Sequence, residues 1–121
     1  KTKKMIIKFD DSNLCTLPNF KGGEKEFKAN MFFDGTNRIF KGNLAPGASI
    51  GFHKHEGSCE MIFVLSGKGT LIEQSEDEAS ERKTHEVLAG DCLYCPEGHS
   101  HSLVNSSEDE DLVFYAAVPK Q

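Results

Sequence analysis

GASIGFHKHEGSCEMIFVLSG, residues 47–67, is the stretch from which the rest of the chain can be read. His53 and His55 are one residue apart, and a two-residue step along an extended strand returns to the same face, so both imidazoles project together. Glu56-Gly57-Ser58-Cys59 has turn chemistry, and Glu60 then opens an apolar run from Met61 to Leu65. A strand starting at Glu60 can come back beside the histidines and face them. Two imidazole nitrogens and a carboxylate converging in this way suit a first-row metal. The run itself is apolar on both parities, with Ile62 and Val64 on the face of Glu60 and Met61, Phe63 and Leu65 on the other. Such a strand needs cover on both sides. In a small barrel one side is the interior, and another segment or another subunit covers the other.

A fourth donor is available in GDCLYCPEGHSHSLVN, residues 90–105, where His101 begins another apolar strand. Together the two stretches resemble the cupin superfamily. Gly47, His53, His55, Glu60 and Gly67 fill its first motif, and Gly90, Pro96, Gly98, His101 and Asn105 its second. The resemblance implies an all-β fold, a double-stranded β-helix of jelly-roll type, forming a single domain over residues 1–121. It also implies that His53, His55, Glu60 and His101 hold one divalent transition metal. It assigns no ligand role to His99, which is left as a rim or supporting histidine. Three imidazoles and one carboxylate suit Mn, Fe, Co, Ni, Cu or Zn without choosing among them. A donor set without thiolate argues against a closed structural zinc. Four protein ligands on a six-coordinate ion leave two positions for water, O2 or a bidentate substrate.

The remaining chain agrees with this fold class. Turn signals at Asp10–Asn13, Asn19–Gly23, Asp34–Asn37, Ala45–Gly47, Ser66–Gly69 and Ala89–Asp91 bracket about nine or ten short β-rich segments, and no amphipathic helix is evident. The expected strands are Met5–Phe9, Glu26–Phe33, Arg38–Leu44, Ile50–His55, Glu60–Leu65, Thr70–Glu73, Glu86–Leu88, Cys92–Tyr94, His101–Asn105 and Leu112–Val118. The polar segment from Glu76 to Lys83 reads as a solvated hairpin loop. Arg38, Phe40, Tyr94, Phe114 and Tyr115 are candidate pocket residues, and a cation such as Arg38 near the metal would favour a carboxylate-bearing ligand.

The 121 residues carry a formal net charge of −5 and no basic cluster beyond the first four residues, which argues against nucleic acid as a partner. The longest apolar runs are too short to cross a bilayer as helices. Lys1-Thr2-Lys3-Lys4 is followed by only three apolar residues, which is no signal-peptide pattern. Four irregularly spaced cysteines do not make a disulfide framework, and residues three apart on a strand face opposite ways, so Cys92 and Cys95 should not converge. The expected location is cytoplasmic. The apolar outer faces of Met61-Phe63-Leu65 and Val113-Tyr115-Ala117 predict a homodimer, with Met5–Phe9 either covering part of one face or crossing to the partner.

The function that follows is a metal-binding cupin, a metalloenzyme acting on a small polar metabolite such as an organic acid, sugar or diketone. Oxygenase, decarboxylase, isomerase and lyase chemistry are all open to such a site. The alternative is a non-catalytic ligand-binding or sensor cupin. The acidic lid motif of two-domain oxalate decarboxylases is absent from the sequence.

Overall fold

Alternation along the strands decides how this chain closes on itself. In the computed structural model, residues 5–77 and 79–121 are described, and they form ten strands. These are β1 (Leu14–Pro18), β2 (Glu26–Phe33), β3 (Asn37–Leu44), β4 (Ser49–Lys54), β5 (Glu60–Ser66), β6 (Lys68–Gln74), β7 (Lys83–Leu88), β8 (Cys92–Cys95), β9 (Ser100–Val104) and β10 (Leu112–Pro119). Short 3₁₀ turns at Asp11–Asn13 and Phe20–Gly22 flank β1. One sheet runs β1-β2-β3-β10-β5-β8 and the other β4-β9-β6-β7, with every pairing antiparallel. This is the expected all-β jelly roll.

Inward residues of both sheets share one apolar core. Leu112, Phe114 and Ala116 of β10 point into it, with Ile62 and Val64 of β5, Phe27 and Ala29 of β2, and Leu103 of β9. Phe114 stacks on Phe27 at 6.0 Å between ring centroids, over a glycine, Gly42, whose Cβ would strike both rings. Among the described residues, several outward positions of the same strands lack such cover. Phe63 is 47% exposed, and Leu65 and Tyr115 are also exposed.

The first expected strand is corrected. Met5–Phe9 joins no ladder, and the edge of β2 is taken instead by Leu14–Pro18, which sequence reading left unassigned. The reason lies in the pattern. Met5-Ile6-Ile7 does not alternate, whereas Cys15 and Leu17 place one apolar face toward the core between exposed Leu14, Thr16 and Pro18. Pro18 is tolerated because it ends an edge strand. Phe9 still reaches the outer sheet face, its ring 6.0 Å from that of Tyr115. Of the described residues between β6 and β7, 76, 77, 79, 81 and 82 are exposed, in line with the expected solvated loop, although Lys83 already belongs to β7, and the Arg82 guanidinium lies 3.7 Å over the ring of Phe52.

Candidate metal centre

The site begins with an irregularity in β4. Ile50 pairs with Leu103 and His53 with His101, so three residues advance on β4 while two advance on β9. The extra residue is a β-bulge at Gly51-Phe52, and it turns both Ile50 and His53 inward, where a regular strand would oppose them. His55 follows on the same face, tied to the neighbouring loop by its own N–H on the His99 carbonyl at 3.0 Å and by its carbonyl accepting from the Gly98 N–H at 2.7 Å. Glu60 opens β5 opposite Cys95.

Four side chains meet here. One ligating atom each from His53, His55, Glu60 and His101 lie within 4.8 Å of one another. The three imidazole centroids stand 4.9 to 5.0 Å apart, close to an equilateral triangle. His55 Nε2 lies 3.1 Å and His101 Nε2 2.9 Å from Glu60 Oε1, and the two nitrogens are 3.0 Å from each other. Donors about 2.1 Å from one ion would be about 3.0 Å apart at right angles and about 3.4 Å apart in a tetrahedron. The observed triangle therefore has the dimensions of one face of an octahedron.

The outer ring nitrogen of His53 is placed to leave a lone pair pointing inward. His53 Nδ1 donates to the Gly51 carbonyl at 2.7 Å, which fixes the neutral tautomer with a bare Nε2. His55 Nδ1 lies 3.1 Å from Ser58 Oγ. Burial pushes His53 below the ordinary imidazole value, and the neighbouring imidazoles add to this against the opposing Gly51 carbonyl. Burial alone would raise Glu60, yet hydrogen bonds from His101 and His55 outweigh it and hold the carboxyl at about 2. A buried carboxylate grouped with three imidazoles, that of His53 held neutral, is a donor set for a cation. Cys95 stands directly opposite Glu60, but burial and the nearby Glu60 and Glu73 carboxylates push its thiol up to about 12. It remains a neutral thiol beside the cluster, and none of the four cysteines is paired.

His53, His55 and Glu60 form the floor of a cavity of about 700 Å³ that opens to solvent. A small recess of about 30 Å³ lies deeper, between the cluster and Phe40, Ile50, Ile62 and Leu103. Of the candidate pocket residues, Arg38 and Phe40 line the cavity. Phe114 is instead fully buried core, Tyr115 lies on the outer sheet face, and Tyr94 borders a separate crevice lined by β6, β8 and β9. His99 lines that crevice too, outside the four-residue cluster. Cys92 is exposed and Cys95 buried, so they face opposite ways as expected. Sequence reasoning missed the wall opposite the cluster, made by Leu17 of β1, Phe20, and Met31 of β2. The alternation of Cys15 and Leu17 between two turn clusters is the signal that would have found it.

Residues 40–118 match the Cupin domain family. The chain belongs to this family. All four clustered residues lie within the match, whereas β1, the Phe20 turn and β2 precede it. A relative described as an oxalate-binding protein, from Thermotoga maritima, is 28% identical over 120 residues, covering 94% of this chain and 93% of its own. A germin-like protein from Morus alba is 34% identical over 74 residues, 61% of this chain and 34% of that protein. Among solved structures, a predicted oxalate decarboxylase from Thermotoga maritima superposes with a TM-score of 0.83 at 27% identity, over 97% of this cupin and 100% of that chain. No helix among the described residues is long and apolar enough to cross a membrane.

Proposed function

We propose that this cupin holds one divalent transition metal on His53, His55, Glu60 and His101 and uses it to bind, and in the enzyme reading to transform, a small anionic organic molecule. The observation that carries this is the triangle of donors from His55, Glu60 and His101, each 2.9 to 3.1 Å from the next, with His53 locked by Gly51 beside it. A bound divalent metal supplies Lewis acidity, or a site for O2, at positions the protein leaves open. The chain's own part is to keep the His53 imidazole neutral, hold Glu60 ionised, and confine the ligand between the cluster and an apolar wall. The names of the Thermotoga maritima relatives, one binding oxalate and one a predicted decarboxylase, support a carboxylate ligand. The binding name also favours a second reading, ligand capture without turnover. The chain is further proposed to act as one domain and as a homodimer through the outer face bearing Phe63 and Tyr115, in the cytoplasm.

The test separates turnover from capture. Protein purified without added metal is assayed for its ion, then incubated with small organic acids under air and under argon, with and without chelator. Metal-dependent product formation supports the enzyme. Metal-dependent binding with no product supports capture, and carboxylate binding that chelation leaves unchanged contradicts both.

A further inference from the structure

The cavity above the cluster is built for more than a bare carboxylate. Its wall opposite the histidines is apolar, made by Leu17, Phe20, Met31, Phe40 and Val118. Its mouth carries Lys21, Arg38 and Lys54. Lys54 faces Glu56 at 3.9 Å. Lys21 and Arg38 make no ion pair among the described residues, and sit over the rings of Phe20 at 5.6 Å and Phe33 at 4.6 Å. In a chain of net charge −5, two cations without carboxylate partners at one opening mark a place that receives an anion.

The apolar wall is also held firmly. Asn19, Lys21 and Lys25 all have left-handed backbone, at φ of 50°, 56° and 56°. Lysine disfavours this backbone conformation, which persists only where packing over-determines the loop. The packing is visible: a Cβ on Gly51 would overlap the Lys21 carbonyl, and one on Gly23 the Ser49 carbonyl. Loop and β4 thus meet backbone to backbone, which sets Phe20 against the cavity. A cavity of about 700 Å³ with such a wall would leave a two-carbon dianion in contact with hydrocarbon on one side and water on the rest.

We propose that the ligand of this site is a carboxylate carrying an apolar body of aryl or branched-alkyl size, seated against Leu17, Phe20 and Met31. This rests on the metal reading above and narrows it. The carboxylate lies toward the cluster and the mouth cations, and the body displaces water from the wall. Each methylene-sized group buried should tighten binding about fourfold.

The experiment uses the full chain loaded with Co²⁺, whose visible bands report a ligand at the metal while calorimetry reports affinity. Oxalate, pyruvate, 4-methyl-2-oxopentanoate and phenylpyruvate are titrated in turn. The expected result is at least about tenfold tighter binding of the last two than of pyruvate or oxalate. Phe20→Ala, or Met31→Ala should the first misfold, should remove most of that gain while leaving pyruvate within about twofold. Arg38→Gln should weaken all four alike. Oxalate or pyruvate binding as tightly as phenylpyruvate overturns the proposal, as does a wall variant that weakens pyruvate equally, or cobalt-loaded protein that binds none of them. Protein that takes up no cobalt, its bands absent from the start, refutes the underlying metal reading instead.

Discussion

The two sides of the cavity differ in kind. On one side four polar side chains, from β4, the residue just after it, β5 and β9, converge within 4.8 Å, each aimed by a strand parity, a bulge or a hydrogen bond. On the other, Leu17, Phe20 and Met31 present a hydrocarbon wall from the part of the chain that precedes the family match. The donor side demands particular atoms at particular distances, so it admits few residues and can be recognised. The wall demands volume and apolarity, which many residues supply. In the proposed reading, one side carries the metal chemistry and the other the choice of ligand.

Gly51 is where the two sides touch, and its substitution should damage both. A side chain there meets the Lys21 carbonyl, while its own carbonyl orients His53. Gly51→Val should cost about 3 kcal/mol through overpacking, roughly 10 °C of melting temperature, and should lower metal retention as well. Calorimetry with metal analysis checks this. A variant with wild-type melting and metal content would mean the two sides are independent.

Acid should strike the donor side alone. His53 is held neutral below the ordinary imidazole value of about 6.5, and Glu60 is ionised to about 2. In the unfolded chain both groups take up protons at higher pH than in the fold. Their contribution to stability is therefore present at neutral pH, falls as pH drops below about 6.5 for His53 and below the ordinary carboxylate value for Glu60, and is lost as Glu60 nears 2. Metal affinity should fall about tenfold or more per pH unit once the imidazoles protonate. The metal-induced gain in melting temperature, measured from pH 7.5 to 5, should vanish across that range; a constant gain would contradict the ligand assignment.

Two further changes should leave the cavity untouched. Phe63→Glu places a carboxylate on the outer sheet face and should cost the homodimer about 2 kcal/mol, seen by light scattering as a shift to monomer with metal retained. A wild-type chain that stays monomeric at micromolar concentration would refute the dimer. Replacing residues 76–81 with a short Gly/Ser turn should change stability by less than about 0.5 kcal/mol. Loss of metal or of soluble protein would show that the loop supports the site.

What the sequence reveals follows the same division. Nine of the expected strands were legible because hydrophobic alternation and turn residues bracket them, as at Asp34–Asn37 before β3. The clustering of His53, His55, Glu60 and His101 was legible because their spacing matches the two motifs on which the resemblance rests. The bulge at Gly51-Phe52 was not, since nothing local distinguishes a regular strand from one that gains a residue against its partner. Nor was β1, five residues ending in proline, whose place depends on an edge of β2 that only the fold provides. Phe114 and Tyr115 are neighbours on one strand, so only one of them can face inward. The register places Phe114 in the core and Tyr115 outside.

The central claim, that these four residues hold a metal, is tested most directly by elemental analysis of the purified chain beside His53→Ala and His101→Ala. About one divalent transition metal per wild-type chain, with little left in either variant and unchanged far-ultraviolet circular dichroism, is the predicted result. Full metal content in both variants, or none in the wild type after supplementation, would contradict it.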